Sequence, residues 1–110
     1  MQTISNPQNQ LRHTLRQLGF SAHHSGYRLV AEAIVMYTQN SAQSITKALY
    51  PALAKQFPVY SAVNIERAIR YAINEAWEHG PREQWQQYFP HLTKAPANAC
   101  FIANLAEELM

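Results

Sequence analysis

The chain has 110 residues, 47% hydrophobic and 15% charged, which suits one domain around a single core and leaves no room for a second domain of ordinary size. All seven acids are Glu, so aspartyl-phosphate chemistry, an Asp-based calcium loop and a Ser-His-Asp triad are excluded within it. The net charge of +2 is unevenly spread: Arg12, Arg16, Arg28, Lys47, Lys55, Arg67 and Arg70 face only Glu32 and Glu66 through Ala72, while Arg82 and Lys94 face five Glu beyond it, a split that points to a polyanion partner for one side of the molecule.

Residues 1–6 read as a loose tail, and 7–110 as a single helical domain. Asn6 followed by Pro7 is a helix start, with Asn as N-cap and Pro at the first helical position. Leu11, Leu15 and Leu18 keep to one face until Gly19, a C-terminal stop. After a loop over 20–25, Gly26 opens a second helix that runs to about residue 39, with Leu29, Val30, Ala33, Ile34 and Tyr37 on one side. Ser44 opens the segment SITKALY, which Pro51 interrupts, because proline removes a donor and clashes with the preceding turn. The reading is a short helix to about residue 50 and a new one from 51 to about 57, the alternative being one kinked helix.

The strongest helix spans 62–79, N-capped by Ser61 and stopped by Gly80. Ile65, Ile69, Ala72, Ile73 and Ala76 form its buried stripe. Its opposite side carries Asn64, Arg67 and Tyr71, flanked by Glu66 and Arg70. Pro81 begins a short helix holding Trp85 and Tyr88. Asn98 is the expected N-cap of a last helix with Phe101, Ile102, Leu105 and Leu109 inward. No segment shows a period of two, so the fold class is all-α, about six helices.

Leu53, Ala54 and Phe57 on a short helix, Val59 on a turn, and Ile65 and Ala68 on the next helix have helix-turn-helix spacing, although the turn carries Pro58 in place of the usual glycine. In that arrangement the second helix offers Asn64, Glu66 and Arg67 to base edges in a DNA major groove. An ordinary helical hairpin with a solvated outer face is the alternative.

The strings SITKALYPALAKQF (44–57), IERAIRYAINEAW (65–77) and TKAPANACFIA (93–103) closely resemble the C-terminal DNA-binding effector domain of the sporulation-initiation master response regulator of endospore-forming bacteria. The similarity runs from about Leu11 to Leu109 in the same order, with short length differences near Asn40 and Phe89. It implies a six-helix domain with a central helix-turn-helix that binds promoter DNA as tandem, symmetric or head-to-tail pairs, so self-association on repeated sites is expected. The family reads bases with an Arg-x-Glu-Arg set, of which Glu66 and Arg67 are present while Asn64 stands first. Glu66 then accepts from a cytosine amino group, Arg67 pairs with guanine N7 and O6, and Asn64 suits adenine. Arg70 and Tyr71, one turn on, and Lys47 and Lys55 on the preceding helices are assigned to phosphates. For Glu66 and Arg70 the alternative is an i,i+4 surface pair.

Two departures bear on function. The family's regulators carry a phosphoacceptor receiver before this domain and this chain shows none, so control through its own receiver is not expected. The segment HGPREQWQQYFPH (79–91) also differs where the family is thought to meet the polymerase sigma factor, which puts that contact in question but not DNA binding. A rival reading is a protein-interaction module that heterodimerises with, or titrates, a full-length regulator without reading DNA.

Other chemistry finds no support. His23 and His24 diverge on either a helix or a strand, and His79 and His91 lack a companion at zinc spacing. The histidines are therefore read as surface or loop residues, with no metal and no cofactor. Cys100 is read as a small buried hydrophobe, the alternative being a reactive thiol at a helix start. Trp77, Trp85, Phe89 and Phe101 are assigned to the core. No catalytic residue is assigned and no enzyme is expected. The opening MQTISNPQNQ lacks the features of a signal peptide, and no run approaches the roughly 18 apolar residues of a membrane span, so a cytoplasmic, non-membrane protein is expected.

Overall fold

Turning each apolar stripe inward leaves the helix Ser25–Gln39 packed along both Ala62–His79 and Asn98–Leu109, with the core between them. The computed structural model describes residues 7–109, and among them there is no strand. Six α-helices follow in order: α1 (Pro7–Gln17), α2 (Ser25–Gln39), α3 (Tyr50–Gln56), α4 (Ala62–His79), α5 (Arg82–Tyr88) and α6 (Asn98–Leu109). The expected loose tail, the Asn6 cap and the packing of Leu109 lie outside the described residues. No described helix is long and apolar enough to cross a membrane.

The stops and stripes follow local rules. Gly19 sits at φ +106°, with Phe20 N–H donating to the Leu15 carbonyl (3.0 Å) and Gly19 N–H to the Arg16 carbonyl (3.1 Å). This is the left-handed glycine cap that closes a helix on its own orphan carbonyls. Leu11, Leu15 and Leu18 are buried, as are Leu29, Val30, Ala33 and Ile34 on α2 and the full predicted stripe of α4.

The helical segments on either side of the Pro51 boundary are contiguous. A π-helical turn (Ile45–Leu49) runs directly into α3, with Leu49 N–H donating to the Ser44 carbonyl at 3.0 Å and Tyr50 N–H to that of Ile45. Pro51 falls in the first turn of α3, where a missing N–H costs least. The wider i→i−5 spacing just before it relieves the proline's clash with the preceding turn. Two helical segments are thus present, as expected, with their boundary at 49/50, but they follow one another without a break.

Aromatic residues close the far side of the core. Trp85 is fully buried, and its indole Nε1–H donates to the Leu18 carbonyl at 2.8 Å, satisfying a group freed by the end of α1. Trp77 meets it edge-on at 5.1 Å, and Phe89 and Phe101 lie 5.8 and 5.7 Å away between ring centres. The Arg82 guanidinium covers Trp77 at 4.5 Å.

Three local expectations are corrected. Asn98 is the first residue of α6 and does not cap it; the Ala97 carbonyl accepts the opening bond, from Phe101 N–H (2.9 Å), and the Asn98 side chain turns inward. Cys100 is exposed, because it precedes the buried Phe101 and so lies about 100° round the helix from it. His24 is more than a loop histidine: it is half-buried and caps α2, its Nδ1 accepting from Gly26 N–H at 3.0 Å.

Candidate nucleic-acid interface

The short helix α3, a turn over 57–61 and the long helix α4 form one unit, pinned by the buried Leu53 and Ile65. Within the turn, Phe57 N–H donates to the Leu53 carbonyl (2.8 Å) and Tyr60 N–H to that of Phe57 (2.9 Å). Ser61 then caps α4: its Oγ accepts from Asn64 N–H at 3.2 Å, and its carbonyl accepts from Ile65 N–H at 2.9 Å. Replacing Ser61 with alanine is expected to lower stability by about 1 kcal/mol, read as a shifted urea midpoint at unchanged slope.

The α4 residues singled out in the sequence divide into two neighbouring strips. Asn64, Arg67 and Tyr71, at 3- and 4-residue spacing, share one exposed strip. Glu66 and Arg70 share the next, where Glu66 Oε1 lies 3.7 Å from the Arg70 guanidinium. Both partners are solvent-accessible, so this pair contributes at most about 1 kcal/mol and opens at little cost. Tyr71 leans on the His24 ring at 5.2 Å between centres. Lys47, on the π-helical turn, and Lys55, on α3, are both exposed.

Two features were not anticipated. Val59 on the turn and Val63 in the first turn of α4 are 78% and 60% exposed. They set apolar surface beside Asn64, and Val63 edges a shallow hollow of about 220 Å³ lined also by Thr46, Tyr50, Ala62 and Glu66. The sequence signal was available for Val63, which falls off the α4 stripe.

The second feature is a buried polar latch. Asn98 Nδ2 donates to Tyr50 Oη at 3.1 Å and to the Glu66 backbone carbonyl at 3.0 Å. It ties α3, α6 and the second turn of α4 together at the level of Glu66. Burial pushes the Tyr50 phenol above its ordinary pKa, opposed by the Asn98 hydrogen bond, so it stays protonated at neutral pH. No spacing rule links positions 32 and 48 residues apart.

The α2 helix backs the unit. Gly26 lies so close to α4 that a Cβ there would stand 2.6 Å from the Ala68 carbonyl oxygen, so any larger residue would force the helices apart. Two residues to either side of it, His24 touches Tyr71 and the Arg28 guanidinium stacks over Phe57 at 5.3 Å. The result is a capped, rigidly backed helix presenting hydrogen-bonding side chains along an open arc.

Residues 11–109 match the family described as Sporulation initiation factor Spo0A C terminal. The match covers the whole helical array from Leu11 onward, including the α3–α4 unit and the latch. The chain belongs to this family of DNA-binding effector domains of sporulation response regulators.

Proposed function

We propose that the chain is a sequence-specific transcription regulator that lays the N-terminal half of α4 in the major groove of double-stranded DNA. The observation that carries this reading is the exposed strip of Asn64 and Arg67 immediately behind the Ser61 cap. Arg67 pairs with guanine N7 and O6, Asn64 with adenine N6 and N7, and Glu66 accepts from a cytosine amino group once its pairing with Arg70 opens. Val63 offers its methyl groups to a thymine methyl beside them. Lys47, Lys55, Arg70 and Tyr71 hold phosphates. A module of this size reads few base pairs, so useful specificity calls for two copies on a repeated site. Occupancy of a promoter is the regulatory act.

Selection of bound duplexes from a random library tests the proposal. The expected result is a repeated motif with guanine and adenine at adjacent read positions, and affinity that falls steeply with salt as phosphate contacts release counterions. Failure to retain any duplex at low salt would overturn it in favour of a module that heterodimerises with a full-length regulator.

A further inference from the structure

The basic excess of the N-terminal half is not used up by α4. Arg12 and Arg16 on α1 and Arg28 on α2 line one open groove of about 630 Å³, together with His13 and Tyr27. All three arginines are exposed, and among the described residues none is paired with a carboxylate. Glu32, the acid on the groove wall, turns to α3 and accepts from Gln56 Nε2 at 3.3 Å. Three guanidinium groups are thus gathered around an open trough whose one carboxylate, Glu32, forms an ion pair with none of them, an excess of positive charge that an added anion relieves.

We infer that this α1–α2 groove is a second DNA contact, a phosphate clamp for the backbone flanking the bases that α4 reads. This rests on the DNA-binding reading above and extends its footprint. Continuity with the α3–α4 unit is the first support. Arg28 lies over Phe57 at the start of the turn, the neighbouring wall is tied to Gln56 of α3, and His24 at the head of α2 touches Tyr71. The groove therefore starts where the base-reading unit ends. Chemistry is the second support, since the planar fork of Arg fits phosphate oxygens two at a time. Arg12 and Arg16 stand about 6 Å apart along α1, against one phosphate per about 3.4 Å of axis on each strand. That separation spans nearly two such steps, so the pair can reach two phosphates of one strand. The open, exposed form of the trough suits a continuous backbone better than an enclosed small molecule.

The test is the salt dependence of binding for Arg12→Gln/Arg16→Gln on the intact chain, with Arg12→Lys/Arg16→Lys as the charge-keeping control. On a long duplex the Gln variant is expected to lose roughly 2 from the slope of log affinity against log salt. At low salt it should bind selected and random duplexes about ten-fold or more weakly, with its selected motif unchanged, while the Lys variant keeps the parent's salt slope and loses only the affinity that the Arg fork adds. On a duplex trimmed to the motif itself, parent and Gln variant should bind alike. An unchanged slope on the long duplex overturns the clamp, as does an altered motif. Calorimetry with inorganic tripolyphosphate separates the other source of the same chemistry. Micromolar binding lost in the Gln variant, beside an unchanged duplex slope, assigns the groove to a free polyphosphate and overturns the backbone reading. A parent that binds no duplex sinks the clamp along with the proposed function, whereas a parent that binds with an Arg12- and Arg16-independent slope sinks the clamp alone.

Discussion

Trp85→Ala is expected to lose about 3–5 kcal/mol of stability, a large share of the roughly 5–15 kcal/mol available to a small domain. The indole is fully buried among Trp77, Phe89, Phe20 and Phe101, so truncation opens a cavity that four aromatic neighbours cannot close by small rotations. It also strands the Leu18 carbonyl, whose 2.8 Å bond to Nε1–H has no substitute on the α1 side. Trp85→Phe separates the two effects, because it retains most of the ring contact and loses the donor, at about 1–3 kcal/mol. Urea unfolding followed by far-UV circular dichroism orders them. A Phe variant as damaged as the Ala variant would show that the hydrogen bond, and not the packing, dominates at this position.

Arg67→Ala is expected to erase the guanine from the selected motif and lower affinity for the preferred duplex about five- to a hundred-fold, corresponding to about 1–3 kcal/mol for a bidentate pair. Random duplex should bind nearly as before, because that affinity comes from phosphate contacts. Arg67 is exposed and makes no ion pair among the described residues, so the substitution leaves the fold intact and thermal unfolding should coincide with the parent. Equal loss on preferred and random duplexes would move Arg67 from a base to a phosphate. The contrast with the Arg12 and Arg16 substitutions is then diagnostic: one changes the motif, the other changes the salt slope.

Much of the scaffold was legible because its signals are local. A helix repeats every 3.6 residues, so the α4 stripe of Ile65, Ile69, Ala72, Ile73 and Ala76 announces both the helix and its buried face. Ser61 and Gly19 mark ends through hydrogen bonds spanning three to five residues. The exposed strip of Asn64, Arg67 and Tyr71 follows from the same periodicity, being what the stripe leaves outside. The placement of Trp77, Trp85, Phe89 and Phe101 in the core follows from their size and apolar surface.

What failed locally was decided by contacts far along the chain. Asn98 looks like an N-cap to any reading confined to its neighbours, yet partners on Tyr50 and Glu66 draw its amide into the interior. Cys100 beside Phe101 looks apolar enough to bury, and only the orientation of α6 against α2 turns it to solvent. Pro51 was read as a boundary between two helices or a kink in one; the two segments do meet there, but with no gap, through one widened turn whose flanking Leu49, Tyr50 and Leu53 are held in the core. The basic groove has the same origin. Arg12, Arg16 and Arg28 stand out in the sequence only as surplus charge, and the packing of α1 beside α2 gathers that surplus into one groove where three arginines outnumber Glu32. Periodicity, caps and composition act over a turn or two of helix and were readable from the chain alone. The latch, the widened turn and the charge cluster depend on which helices meet, and that is settled by the free energy of closing one common core.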